Sequence, residues 1–189
     1  MMRRSLAGAA IVLSLSLVTA NAAEVAGVRL DDISRLAGSE LLLNGAGLRS
    51  KLFFKVYVIG IYAPHKTSKA AELIDVTEPR RIAMHMLRQV EADSLLSALK
   101  EGLQQNHSEA ELTAMKPQIE RLEAIMRAIG TAKPGDLITL DLTAAATTVS
   151  FNGQDKGSIA GAGFGSALLK IWLGGKPIDE TLKQALLGG

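Results

Sequence analysis

A chain of 189 residues, 48% hydrophobic and 21% charged, has the length of one ordinary domain and enough apolar side chain to bury a core. Its formal charge of +2 comes from the start: residues 1–22 hold two arginines and no acid, and the remainder sets nineteen bases against nineteen acids. A neutral chain without a basic stretch excludes nucleic acid as a partner, and zero cysteines exclude disulfides and thiol chemistry.

Residues 1–22 read as a secretory signal peptide: Arg3-Arg4, an apolar run from Leu6 to Val18, then the small-x-small triplet Ala20-Asn21-Ala22. The run is shorter than the ~20 residues a membrane-spanning helix needs. The expectation is one domain over residues 23–189, exported, with the leader cleaved near Ala22 and no membrane span thereafter. In a Gram-negative source that domain is periplasmic.

EVAGVRL predicts a short strand, and SELLLNGAGLRSKLFFKVYVIGIYAP predicts two strands joined at Asn44-Gly45, the second running unbroken from Arg49 to Pro64. Strict alternation along that second strand puts Ser50, Leu52, Phe54, Val56 and Val58 on one face. Arg49, Lys51, Phe53, Lys55, Tyr57, Ile59 and Ile61 share the other, which grades from basic to apolar. On a straight strand, at about 3.3 Å per residue, Arg49 and Tyr57 stand roughly 26 Å apart. Tyr57 is then paired with Lys55, and Arg49 joins them only if the strand bends or bulges. Two readings of these cations stay open: the polar part of a cleft for an anion, or an edge-proximal strand whose basic side chains reach out to water.

TSKAAELI predicts a short helix and EPRRIAMHMLRQV an extended segment in which Ile82, Met84 and Met86 alternate with Ala83, His85 and Leu87. Leu95, Leu96, Leu99 and Leu103 mark one face of a helix over residues 92–105. Ser108 with Glu111 is a capping box opening the next, which Pro117 should kink or split. KPGDLITLDLTA, TTVSFNG and QDKGSIAG predict an antiparallel meander, followed by helices FGSALLKIWLG and DETLKQALLGG, closed by Gly174 and Gly188. Strands, helices, strands, helices: the order predicts an α+β fold, a large antiparallel sheet covered by helices.

Chemistry-bearing motifs are few. His65, His85 and His107 are dispersed, with no metal-ligand spacing, so neither a metal nor another cofactor is expected. No GxSxG elbow occurs. Gly161, Gly163 and Gly165 lack the spacing and βαβ setting of a phosphate loop, and close helix–sheet packing accounts for them better. The acidic pairs fall in turns and helix caps.

GLRSKLFFKVYVIGIYAP, an arginine ahead of a K-x-x-x-I-G-x-Y strand, and FGSALLKIWLGGKPIDETLKQALLG, a helix ended by glycine, a turn with proline and a closing helix, resemble the chalcone isomerase-like family. The likeness runs through residues 23–189 in order and is strongest to the short exported bacterial branch. It implies an open-faced sandwich, a large antiparallel sheet under a helical layer, with a ligand cleft between the long strand and the helices. In the plant isomerases an arginine and a threonine of that strand, with a tyrosine, an asparagine and another threonine, serve the cyclisation of a chalcone. In related fatty-acid-binding members an arginine and a tyrosine hold a carboxylate. Here Arg49 stands for the arginine, Tyr57 and Ile171 stand where the isomerases have threonines, and residues 91–99 supply neither the tyrosine nor the asparagine.

Losing ordered donors costs an enzyme a few kcal/mol each, whereas holding an amphipathic anion needs only a cation, a hydroxyl and an apolar pocket. The expectation is therefore a non-catalytic binder of a small hydrophobic anion, a fatty or aromatic acid. Lys55, Tyr57 and Arg49 form its polar part, and Phe53, Ile59, Ile171 and Trp172 its walls. Alternatives are an intramolecular lyase of the chalcone isomerase type and an envelope structural protein. Whether His85 or Arg88 reaches the cleft is open, as is the oligomeric state.

Overall fold

The computed structural model describes residues 23–189; the expected signal peptide over residues 1–22 lies outside them. Tight hairpins build the first third. β1 (Ala23–Val25) and β2 (Val28–Leu30) close on Ala26-Gly27, and β3 (Ile33–Leu36) and β4 (Ser39–Lys51) close on Ala37-Gly38. All four loop residues have positive φ, the turn whose twist matches the flanking strands. β4 then pairs with β5 (Phe54–Ala63) around Leu52-Phe53.

The rest follows in order: α1 (Ala70–Ile74), β6 (Arg80–Met86), β7 (Val90–Glu91), α2 (Ala92–Asn106), α3 (Glu109–Ala114), α4 (Lys116–Ile129) and β8 (Thr131–Ala132). The meander β9 (Leu137–Leu142), β10 (Ala146–Phe151) and β11 (Gln154–Ala160) leads to α5 (Phe164–Leu173) and α6 (Glu180–Leu186). The Ser108–Glu111 capping box forms at the start of α3. Pro117 lies in the first turn of α4, where its missing N–H costs nothing, so the helix is split there, not kinked.

Seven strands form one antiparallel sheet in the order β11-β10-β9-β6-β5-β4-β3. One face carries the helical layer. At its centre is α5, in which Phe164, Leu168, Leu169, Ile171, Trp172 and Leu173 are all buried, as a helix apolar around most of its circumference must be between a sheet and other helices, while Ser166 and Lys170 stay half-exposed. Ile59, Ile61, Ile82, Met84, Ile138 and Leu140 meet it from the sheet. The opposite face is partly covered by the β1–β2 hairpin, whose Leu30 joins Leu41, Leu43, Val58, Tyr62 and Ala83 in a second, smaller core. The α+β architecture expected from the element order is the one found.

Two expectations at β4 are corrected. Asn44-Gly45 is no turn: it lies inside β4 at a bulge, where the register against β5 shifts between Leu43 and Gly45. Buried Asn44 donates to the Leu186 carbonyl at 2.8 Å and accepts from the Thr67 N–H at 2.7 Å. At Gly45 the main chain of α6 comes so close that a Cβ would land on the carbonyl oxygens of Ala185 and Leu186. Both residues serve the seating of α6. Conversely, the strand expected to run unbroken from Arg49 to Pro64 reverses at Leu52-Phe53, which carries none of the residues that announce a turn.

Candidate functional site

That reversal builds the site. Arg49 on β4 and Tyr57 on β5 are direct cross-strand partners, so the two side chains share one face at neighbouring-strand distance instead of standing eight residues apart along one strand. A second bulge, between Arg49 and Ser50, leaves Val56 unpaired on β5. One extra residue flips the alternation beyond it. Val56 and Tyr57 both face the helices, and Lys51 and Phe54, paired across the hairpin, turn to that side too.

Together they line a cleft of about 450 Å³ that opens between the hairpin and the start of α2, within the ~300–1,000 Å³ common for small-molecule sites. Its other wall comes from Arg88, Gln89, Val90, Glu91, Ser94, Leu95 and Ala98, with Ile178 from the segment before α6. Behind Tyr57 an apolar void of about 40 Å³ continues inward, lined by Met84, Leu99, Met126, Ile171 and Trp172; it shares Tyr57, Leu95, Ala98 and Ile178 with the cleft.

Of the side chains expected at a site, Arg49 and Tyr57 line the cleft, and Ile171 and Trp172 line the void behind it. The same bulge turns Lys55 away from Tyr57 to the outer side, exposed, so the expected Lys55–Tyr57 pairing is replaced by Arg49–Tyr57. Phe53 sits at the tip of the hairpin, 98% exposed, and Ile59 is sealed in the core. Arg88 is at the mouth, its guanidinium 4.5 Å from the centre of the Phe54 ring. His85, partnered with Val58, is on the other face of the sheet, where burial holds its pKa below the ordinary value. Lys51, Phe54, Val56, Leu95 and Ile178 were not expected as lining. For Lys51, Phe54 and Val56 the bulge and the turn make the assignment, and neither has a residue signature here; Leu95 and Ile178 come from the packing of α2 and the segment before α6 over the hairpin.

Arg49 is part-buried and forms an ion pair with Asp179, Nη1 to Oδ2 at 3.3 Å, while also donating to the Ser50 carbonyl. Asp179 uses its other oxygen to cap α6, accepting from the Leu182 N–H at 3.0 Å. Tyr57 is buried, and its hydroxyl accepts the indole N–H of Trp172 at 3.1 Å. With that lone pair engaged, the phenolic proton finds no acceptor among the described residues and is free for a ligand oxygen. Burial pushes the Tyr57 phenol above its ordinary pKa against the opposing pull of Trp172 and Arg49, so at neutral pH the group is a donor.

Tyr62, the other tyrosine, is pushed up to about 12, chiefly by burial. Spectrophotometric titration of the native protein should therefore show almost no tyrosinate at pH 10, where a free phenol is half ionised. Both folded-state values lie above the unfolded one, so this contribution to stability is complete below about pH 10 and declines as pH rises toward the folded values. A normal step near pH 10 in the folded protein would contradict the burial of both rings.

The cleft's lining cations Arg49, Lys51 and Arg88 outnumber its one lining acid, Glu91. Among the described residues no cluster of histidines and carboxylates could hold a metal ion, and no helix is long and apolar enough to cross a membrane. What the arrangement offers chemically is a fixed cation beside a neutral hydroxyl donor, at the junction of a polar mouth and an apolar interior.

The profile of the chalcone isomerase-like family matches residues 22–188. Among solved structures the chain is similar to a fatty-acid binding protein of Arabidopsis thaliana, with a TM-score of 0.68 at 16% identity, covering 85% of this chain and 92% of that one. No curated protein matches the sequence.

Proposed function

The chain belongs to the chalcone isomerase-like family, and on that premise we propose that it is a non-catalytic binder of a small hydrophobic anion, with a fatty acid as the leading class. The observation that carries this is the Arg49–Tyr57 cross-strand pair at the floor of an apolar cleft. A carboxylate there receives a charge-assisted bond from Arg49 and the unclaimed proton of Tyr57, while its tail lies against Val56, Leu95, Ala98 and Ile178. The Arabidopsis neighbour's description as a fatty-acid binding protein supports the same ligand class. The leader-like residues 1–22 support an exported protein, periplasmic in a Gram-negative source.

Displacement of a fluorescent fatty acid tests the reading. Affinity should rise about fourfold per methylene until the apolar space is filled, then level off. Tyr57→Phe removes one hydrogen bond to a charged group and should weaken every chain length by about tenfold or more without altering the chain-length profile. Equal affinity of wild type and Tyr57→Phe, or no chain-length dependence, would reject a head group at this pair.

A further inference from the structure

The β4–β5 hairpin ends in a feature that the cleft explains only in part. Four large apolar side chains are exposed among the described residues, and three are consecutive here: Leu52 at 84%, Phe53 at 98% and Phe54 at 56%. Their loop is unlike the molecule's other two-residue hairpin loops. Ala26-Gly27, Ala37-Gly38 and Asn152-Gly153 each end in glycine, with both residues at positive φ. Leu52 instead holds φ +56 itself, a conformation that a branched apolar side chain adopts at a cost and that glycine or asparagine would adopt without it. An apolar residue is retained where local backbone preference argues against one and where no core receives it.

The surroundings of the tip are basic. Lys51 and Lys55 flank it, Arg88 lies against Phe54, and no acidic residue occurs in the sequence between Glu40 and Glu72. The nearby acids are Glu91 on the cleft's far wall and Asp179, already engaged by Arg49. We propose that this hairpin tip docks the protein on an anionic lipid surface, Leu52 and Phe53 entering the boundary between head groups and acyl chains while Lys51, Lys55 and Arg88 meet the phosphates. Three side chains on a turn present only a few hundred Å² of apolar surface, below the ~800 Å² per partner of a standard protein interface. A bilayer asks for no matching shape and takes a short aromatic, basic projection readily. Lys51, Leu52 and Phe54 also line the cleft, so docking would turn its mouth toward the bilayer. Only that last consequence rests on the fatty-acid reading; docking itself does not.

The test is co-sedimentation of the protein, as it accumulates in the expressing cell, with vesicles and with no fatty acid present. On phosphatidylcholine vesicles containing about a third phosphatidylglycerol, wild type should bind at least tenfold better than on phosphatidylcholine alone, with the advantage fading at high salt. The double variant L52G/F53S should lose about tenfold or more of that binding. Glycine suits the φ of Leu52, so its melting temperature should be unchanged or higher, separating lost docking from lost folding. K51S/K55S should keep the fold and weaken binding to the anionic vesicles by about 25-fold if both cations act, leaving the share of Arg88. Equal vesicle binding by wild type and L52G/F53S overturns the proposal. So does a tip-dependent dimer in sedimentation velocity without vesicle binding, which would assign the patch to a second copy.

Discussion

Arg49→Ala should reduce fatty-acid affinity by about 30-fold or more, the loss expected when one member of a part-buried, hydrogen-bonded charge pair is truncated. The side chain stands between two anions: Asp179, which it holds now, and the carboxylate proposed to lie beside Tyr57. Arg49→Lys keeps the charge but not the planar fork that can serve both at once, and should fall between wild type and alanine. Asp179 retains its cap on the Leu182 N–H in either variant, so α6 should survive with only a small loss of melting temperature. Isothermal titration with a medium-chain acid separates the outcomes. If Arg49→Ala binds like wild type while a variant lacking Lys51 and Arg88 does not, the head group sits at the mouth and the ligand is reversed.

A second large effect concerns stability, at the β4 bulge. Asn44→Ala strips partners from two groups at once, the Leu186 carbonyl and the Thr67 N–H, and should destabilise by about 2–4 kcal/mol. Gly45→Ala should cost at least as much, about 3 kcal/mol, because the obstacles to its methyl are main-chain carbonyls of α6 that cannot rotate aside as a side chain could. For a domain of this size 3 kcal/mol corresponds to roughly 6–12 °C in melting temperature. Thermal unfolding followed by circular dichroism checks both. A variant at position 45 that melts with wild type would mean that α6 does not pack on β4 as described.

These residues also mark what could be read from the sequence. The helices, the meander and the sheet's α+β character were legible because periodicity, caps and glycine stops all agreed, as at Ser108, Pro117 and Gly174. The β4–β5 region was not, because its local signals are inverted. Asn44-Gly45 has the composition of a hairpin turn and is used for burial and close approach, while Leu52-Phe53 has the composition of a core strand and is used as a turn. The site inherits that inversion. Arg49 and Tyr57 were identifiable as a cation and a hydroxyl, but their pairing depends on where the chain reverses. Lys55 leaves the cleft face that strict alternation gives it because a bulge changes the parity of a strand without changing its residues. Local pattern records which side chains want burial; it does not record partners 130 or more residues away, such as Leu186 for Asn44 and Asp179 for Arg49.

Those contacts also set an order of events during synthesis. The bulge of β4 is anchored by a hydrogen bond spanning 142 positions, and Gly47, two residues on, lies under Leu182 and Ala185. A ribosome that has made β4 and β5 has therefore not yet supplied the helix that packs on β4. At ~5–20 residues per second the nascent chain waits roughly 6–25 seconds with that face of β4 uncovered. Until position 186 has emerged the polypeptide stays incompletely folded, a state that a translocase or a holding chaperone can still engage.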